Sequence, residues 1–329
     1  MRAVFADPKT DFVFKRIFGS EAHKPLLIAL LEALLELDPP HHIVDLVFLT
    51  PEQHLPIEEF KLSIVDVKCR DASGRTFVVE MQVLNVEGFE KRVVYNSAKA
   101  YVTQLRSGEG YPALADVIGV TICDFEVWPN PPVAETAPVP MLSRWRMQEQ
   151  HGGALGLSQI QHVFLELPKY SGGSAPVSLI DRWAFFFREA ENLDIIPPAL
   201  SEGAFREALE VARIAHFDAE ELERYDRGKM AEQDARGALS LSRRVGREEG
   251  RVEGRAEGRV QGRVEGRQEG LAEGLEKGRA EGLREAVKTA CLLLGIELDA
   301  DKEGRLGQLD AEQLETLKAS LLRNRSWPS

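Results

Sequence analysis

Two acidic side chains lie in apolar, β-branched stretches of the chain, where an unpaired charge is expensive. Asp66 lies in Ile-Val-Asp-Val-Lys-Cys-Arg at 64–70, and Glu80 lies in Arg-Thr-Phe-Val-Val-Glu-Met-Gln-Val at 75–83. Runs of this composition predict β-strands, and Asp-Ala-Ser-Gly at 71–74 predicts the turn that joins them as a hairpin. Burying carboxylates costs free energy unless something positive lies between them. The pattern therefore predicts a divalent cation at this hairpin.

The chemistry that suits this arrangement is phosphodiester hydrolysis. Mg²⁺ prefers hard oxygen ligands and keeps several waters, so two carboxylates and a backbone carbonyl can hold it while a water is activated and a phosphate oxygen is polarised. Gln82 is two residues after Glu80, so its side chain points to the same face and can orient that water or the leaving oxygen. Gln82 cannot carry charge or a mobile proton at neutral pH.

The order of strands and helices predicts an α/β or α+β fold, with a mixed central sheet flanked by helices and an all-helical C-terminal region. Strands are predicted where β-branched residues cluster: the hairpin, 43–50, 117–127, 142–148 and 162–167. Helices are predicted where apolar residues recur at three and four behind capping residues: 11–18, 20–37, 90–107, 179–190, 201–214 and from 219 toward 243.

Changes in composition along the chain predict four segments. Residues 1–193 form the mixed α/β domain, 194–245 form a helical extension, 246–284 form a repeat of four residues, and 285–329 form a small helical cap. The edge of the first domain is placed at residue 193 because no predicted strand follows it.

Residues 246–284 carry a glycine at every fourth position, usually flanked as Glu-Gly-Arg. The segment holds eight Arg, one Lys and nine Glu, so it is electrically neutral and does not suit a DNA-binding tail. If the segment is a helix, its row of glycines advances around the helix by about 40° per repeat. Such a row favours a right-handed wrap of this helix around a closely packed partner. Glycine weakens a helix by up to about 1 kcal/mol per position, so a flexible charged linker is the alternative. The helical interpretation predicts a homo-oligomer formed through 246–284.

Composition limits the remaining functions. The 329 residues contain no apolar run of the roughly 18 to 20 residues that span a bilayer, and the first residues turn acidic too soon for a signal peptide, so we expect a cytoplasmic protein without a membrane partner. Three distant cysteines do not suit a disulfide framework or a cysteine zinc site.

The net charge of -12 works against general DNA coating, so DNA contacts must be local. Candidate contacts, each of which is alternatively a solvated helix face, are Lys15, Arg16, Lys91, Arg92, Lys99 and Arg106.

Several short segments occur in an order that matches a known family. They are Asp-Phe-Val-Phe-Lys-Arg-Ile-Phe-Gly at 11–19, Ile-Val-Asp-Val at 64–67, Glu-Met-Gln at 80–82, Arg92 with Tyr95, Gln-Leu-Arg-Ser-Gly-Glu-Gly-Tyr at 104–111, and the Glu-Gly-Arg repeats. In this order they resemble the Rpn family of recombination-promoting nucleases, often labelled transposases, within the PD-(D/E)XK nuclease superfamily. The resemblance covers most of the chain, is strongest over 7–127, and implies a restriction-endonuclease-like core.

The resemblance implies roles for individual residues. Asp66, Glu80 and Gln82 would form the catalytic group, with Asp66, Glu80 and the backbone carbonyl of Met81 as metal ligands. Gln82 stands where the superfamily more often has lysine, a departure that the Rpn group shares and that leaves the general-acid role without a residue. Phosphate or DNA contacts are implied for Asp11, Lys15, Arg92 and Tyr95.

The activity that the resemblance implies is endonuclease action on DNA, dependent on Mg²⁺ or another divalent cation and linked to recombination or mobile-element transposition. An alternative stays open. Gln82 and the acidic net charge also suit a catalytically impaired nuclease-fold protein that acts as an oligomerising, DNA-binding regulator.

Overall fold

The protein is described by a computed structural model of the 329-residue chain, and two compact units divide it, Met1–Ala238 and Leu239–Ser329. The sequence analysis places a domain edge at residue 193, whereas the first unit continues to residue 238 because the helix Gly203–Val211 buries Phe205 and Leu209 in the same core. The structure describes residues 3–37, 42–53, 63–129, 137–151, 153 and 156–328.

The described part of the first unit contains eight strands. They are β1 (Leu46–Phe48), β2 (Glu52–Gln53), β3 (Ser63–Ile64), β4 (Val67–Asp71), β5 (Thr76–Gln82), β6 (Val117–Cys123), β7 (Leu142–Gln148) and β8 (Gly156–Glu166). Six of them form one mixed sheet in the order β1-β4-β5-β6-β8-β7, and β2 pairs with β3. Because β5, β6 and β8 run parallel, their carboxyl ends meet at one edge of the sheet. The predicted mixed sheet is confirmed.

Eight α-helices accompany these strands in the described residues. They are α1 (Asp11–Phe18), α2 (Lys24–Leu35), α3 (Phe89–Val102), α4 (Leu179–Glu189), α5 (Gly203–Val211), α6 (Ala219–Leu294), α7 (Ala300–Gln308) and α8 (Ala311–Asn324). Helix α3 packs on one face of the sheet through Val93 and Ala100, and α1, α2, α4 and α5 pack on the other. None of the helices in the described ranges is both long enough and apolar enough to cross a membrane.

The predicted hairpin is formed by β4 and β5, and Asp71 shapes its turn. The Oδ1 atom of Asp71 accepts hydrogen bonds from the backbone N–H groups of Ser73 at 3.0 Å and Arg75 at 2.9 Å. Gly74 has φ +93°, a left-handed conformation that residues with a Cβ rarely adopt. The local sequence therefore determines the turn, and the turn determines which residues of the two strands face each other.

The tetrad repeat is helical, because α6 extends from Ala219 to Leu294 and contains all of 246–284. At each repeat glycine from Gly246 to Gly282, an added Cβ would meet nothing within 4 Å in the described structure. Helix α6 begins in the first unit and ends in the second, where its last turns pack with α7 and α8 around Val287 and other apolar side chains.

The three cysteines, Cys69 on β4, Cys123 on β6 and Cys291 near the end of α6, are buried and unpaired. Burial raises the pKa of the Cys69 thiol to about 12. Burial also raises the pKa of Cys123, as do the nearby carboxylates of Glu166 and Glu80. These thiols are therefore protonated at neutral pH.

Gly119 lets α3 approach the sheet closely. A Cβ at this position of β6 would lie 2.7 Å from Ser97 Oγ on α3 and 2.9 Å from His162 Nδ1 on β8. Both of these buried atoms lack a hydrogen-bond partner in the described part of the chain. Burial lowers the pKa of His162, which favours a neutral imidazole. The contact is therefore one of close packing.

Replacing Gly119 with Ala is expected to lower the free energy of unfolding by about 1–3 kcal/mol, because the new methyl group overpacks the contact with α3. Ser97→Ala removes the hydroxyl group that the methyl group would meet, so the double variant is expected to regain part of the loss. Urea unfolding followed by circular dichroism measures all three variants. A Gly119→Ala protein as stable as the wild type would contradict the packing argument.

Candidate active site

Asp66 and Glu80 face each other at the open end of the β4–β5 hairpin. Val67 lies opposite Val79 in the antiparallel register, so the residue before β4 lies opposite Glu80. Side chains that are directly opposed share one face of a sheet, with their Cβ atoms about 4.5–5.5 Å apart. The structure thus brings together the two acids that the sequence analysis selected.

The predicted continuous strand around Asp66 is wrong, because Asp66 lies in an irregular step between β3 and β4. Its Oδ2 atom accepts a hydrogen bond of 2.8 Å from the backbone N–H of Met81. The side chain thereby takes the backbone donor that a regular strand would pair with a carbonyl group. This bond holds the Asp66 carboxylate against β5 beside Glu80, and it places Met81 next to both acids.

Glu80 is buried, and both of its carboxylate oxygens have partners. Asn96 Nδ2 on α3 donates to Oε1 at 2.6 Å, and Gln82 Nε2 donates to Oε2 at 3.4 Å. The sequence analysis missed Asn96 because it selected only charged and aromatic residues from this helix. A signal was present, since Asn96 lies four residues after Arg92 and therefore on the same side of the helix.

Arg92 brings a positive charge to the position of Gln82. Its Nη2 atom donates to Gln82 Oε1, so the guanidinium group lies one hydrogen bond from the side chain that the sequence analysis expected at the lysine position. Tyr95 takes a different place. Its ring is partly exposed on α3, and Lys99 Nζ lies 5.5 Å from the ring centroid.

Lys15 approaches the acids from α1, on the opposite side of the sheet from α3. Its Nζ atom lies 2.5 Å from Asp11 Oδ1, one helical turn earlier, and 3.9 Å from Asp66 Oδ1. Asp11 therefore orients the ammonium group, and Lys15 supplies positive charge beside the acid pair. The structure places these two predicted contact residues next to the site.

Burial shifts the ionisation of both acids. Burial raises the pKa of Asp66 to about 7, and the negative charges of Asp11 and Glu80 act in the same direction. The Met81 N–H and Lys15 act in the opposite direction and lower this pKa. Burial likewise raises the pKa of Glu80, against the hydrogen bond from Asn96 and the charge of Arg92. Two opposed carboxyls that are costly to ionise form a site in which a bound cation would be strongly favoured.

The donor set suits one kind of cation. Within the ranges that the structure describes, no three or more His, Cys, Asp or Glu side chains converge to hold a metal ion. Structural zinc needs such a closed set of protein ligands. Mg²⁺ needs one or two carboxylates, and it completes its shell with waters and substrate phosphates. Asp66 and Glu80 therefore fit Mg²⁺ or a similar hard cation.

The fold defines the class of protein. A mixed sheet with a parallel centre, flanked by helices on both faces, is the core of a PD-(D/E)XK nuclease fold. The model of the PD-(D/E)XK nuclease family transposases matches residues 8–241, and the chain belongs to that family. The family resemblance predicted from the sequence is thus confirmed. No curated protein and no solved structure matches the chain.

Replacing Asp66 with Asn is expected to stabilise the cation-free protein at pH 8. The pKa of Asp66 is about 7 in the folded protein, against an ordinary value of 3.8. Between these two pH values the folded state binds more protons than the unfolded state, so the free energy of unfolding falls as the pH rises towards 7. The expected gain is about 1–3 kcal/mol at pH 8. It shrinks at pH 5, where the folded wild type already carries the proton. Thermal unfolding in EDTA at both pH values measures it.

Asp45→Asn is the matched control for this charge removal. The pKa of Asp45 is lowered by the Leu46 N–H and by Lys24, so removing its charge is expected to give no gain at pH 8. Equal changes in melting temperature for the two variants at pH 8 would contradict the assignment of a costly buried charge to Asp66.

Proposed function

We propose that the protein is a DNA endonuclease that hydrolyses phosphodiester bonds with the help of Mg²⁺ or another divalent cation and acts in recombination or mobile-element transposition. The observation that carries this proposal is the pair of opposed carboxylates, the partly buried Asp66 and the buried Glu80, in a chain of the PD-(D/E)XK nuclease family transposases. Positive groups of Lys15 and Arg92 flank the pair, as a phosphate substrate requires.

Asp66, Glu80 and the backbone carbonyl of Met81 would hold the cation. When bound, it would supply a Lewis acid that lowers the pKa of a coordinated water and polarises a phosphate oxygen. Both carboxyls must lose their protons before they can act as ligands, so the raised pKa of Asp66 makes cation affinity fall below about pH 7. Asn96 keeps the Glu80 carboxylate in place through its 2.6 Å hydrogen bond.

The other side chains position and neutralise the substrate. The amide of Gln82 can orient the attacking water, and Arg92 holds that amide by donating to its oxygen. Lys15, oriented by Asp11, would compensate the charge that develops on the phosphate. Lys15 thus provides, from α1, the positive charge that Gln82 cannot carry. Tyr95, on the exposed side of α3, would contact DNA away from the acids.

Plasmid DNA incubated with the wild-type protein and Mg²⁺ is expected to be nicked, and Asp66→Asn and Glu80→Gln are expected to lose about 100-fold or more of the rate, because each removes a ligand of the cation. Asn96→Ala should lose less, since it releases Glu80 without removing its charge. Gel analysis of the time course measures these rates.

The matched control is Glu207→Gln, which removes an exposed carboxylate of α5 and should cleave like the wild type. Equal nicking by the wild type and both acid variants would remove the assignment. Tight DNA binding without cleavage, together with no Mg²⁺ binding by calorimetry, would instead favour the alternative function of an impaired nuclease that regulates by binding DNA.

The repeat suits self-association of parallel chains. Most repeat glycines follow a Glu and most precede an Arg, and in a helix these two flanking residues lie about 100° to either side of the glycine row. If two parallel copies pair through this row about a two-fold axis, the Arg row of one faces the Glu row of the other. Antiparallel copies would place like charges together. Pairing through the opposite row, which includes exposed Val252 and Val260, gives the same result. We therefore propose a parallel homo-oligomer through 246–284.

A chain truncated after Arg243 is expected to sediment as a monomer, whereas the full chain is expected to self-associate, because truncation removes every repeat. Analytical ultracentrifugation measures both masses. If the truncated chain keeps the sedimentation mass of the full chain, the repeat is not the interface. Under oxidation, Gly250→Cys copies should cross-link to each other in a parallel pair, whereas an antiparallel pair would join Gly250→Cys to Gly278→Cys.

A further inference from the structure

A basic cleft of about 660 Å³ lies between α1 and the first turns of α6, within the first unit. Four cationic side chains and one histidine line it: Lys15, Arg16, His23, Arg224 and Arg227. Two acids, Asp11 and Glu221, also line the cleft, so its cations outnumber its anions. Each of the four cations also has an acid partner, and Glu220 and Glu223, which pair with Arg224 and Arg227, do not themselves line the cleft.

The cleft and the candidate active site share Lys15. Lys15 and Asp11 line the cleft, and the same Lys15 Nζ lies 3.9 Å from Asp66 Oδ1. A DNA strand whose scissile phosphate lies at Asp66 would therefore pass Lys15 as it leaves the site. The next phosphates of that strand would enter the cleft, which Arg224 and Arg227 line.

Arg16, on α1, contacts residues on the α6 side of the cleft. Its Nε donates to the Val211 carbonyl at 3.3 Å, its guanidinium carbon lies 4.8 Å over the Phe217 ring, and it forms an ion pair with Glu221 at the start of α6. These three contacts hold the Arg16 side chain in one position. Arg16 is therefore a structural element of the cleft, and its charge is largely compensated by Glu221.

Arg224 and Arg227 are held differently. Their side chains are 57% and 67% exposed, and each pairs with a glutamate one turn earlier on α6, Glu220 and Glu223. Exposed ion pairs of this kind contribute little to stability, so either guanidinium group can leave its glutamate. The freed guanidinium group can then donate two parallel hydrogen bonds to a DNA phosphate. Gly228 adds no side chain beside them and leaves the cleft open.

We propose that the cleft binds the DNA backbone next to the scissile phosphate, with Arg224 and Arg227 as the phosphate contacts. This inference rests on the proposed endonuclease function and extends the substrate-binding surface from α1 to the first turns of α6.

The test measures the salt dependence of DNA binding in EDTA, where no cleavage occurs. The full chain is titrated against a fluorescent 20-base-pair duplex, with the logarithm of the association constant plotted against the logarithm of salt concentration. Each phosphate contact contributes about 0.9 to the slope. Arg224→Gln/Arg227→Gln is expected to reduce the slope by about 1.8 and to weaken binding at 0.1 M salt by about tenfold or more.

The matched control is Arg305→Gln/Arg323→Gln, which removes two exposed arginines of α7 and α8, outside both the cleft and the repeat, and should leave the slope unchanged. An unchanged slope for Arg224→Gln/Arg227→Gln, with the circular dichroism of the wild type, would overturn the inference and leave the proposed function standing. Wild-type protein that does not bind the duplex would overturn both.

A second measurement separates binding from chemistry. With Mg²⁺ present, Arg224→Gln/Arg227→Gln is expected to raise the DNA concentration needed for half-maximal cleavage and to keep the single-turnover rate at saturating DNA. A lower saturated rate with unchanged half-saturation would contradict a binding role for the arginines. If the wild type binds DNA but does not cleave it, only the proposed endonuclease function is contradicted. The slope of the salt dependence still tests whether the cleft binds the DNA backbone.

Discussion

The placement of two opposed carboxylates, Asp66 partly buried and Glu80 buried, is the constraint on which the rest of the first unit depends. Asp66 and Glu80 lie on one face of a hairpin in positions where ionisation is costly, so each needs a specific compensating group. The compensation comes from separate elements: Met81 on the partner strand, Asn96 on α3 and Lys15 on α1. The acid pair therefore becomes a defined site only when both faces of the sheet are covered.

Close packing and electrostatics are coupled through α3. The absence of a side chain at Gly119 brings α3 near the sheet, and the same helix delivers Asn96 to Glu80 and Arg92 to Gln82. A shift of this helix would loosen both polar contacts together. Packing beneath the helix thus controls the geometry of charged groups at its edge.

The sequence predicted the regular parts of the fold because their signals are local. The strand Leu142–Gln148 has the predicted bounds, and the hairpin follows from its β-branched runs and its Asp/Gly turn. The break at Asp66 and the role of Asn96 depend on partners distant in sequence, which no local pattern contains. The repeat at 246–284 stayed ambiguous because glycine opposes a helix that charged pairs such as Glu248 with Arg251 support.

The buried thiols have a practical consequence. Cys69 and Cys123 lie in the core strands of the first unit, and Cys291 lies in the core of the second. A thiolate-selective reagent can modify them only after the surrounding structure opens, since burial excludes the reagent and keeps the groups protonated. The three native cysteines can therefore serve as probes of local unfolding. The rates at which Cys69 and Cys291 are alkylated report the local unfolding of each unit separately.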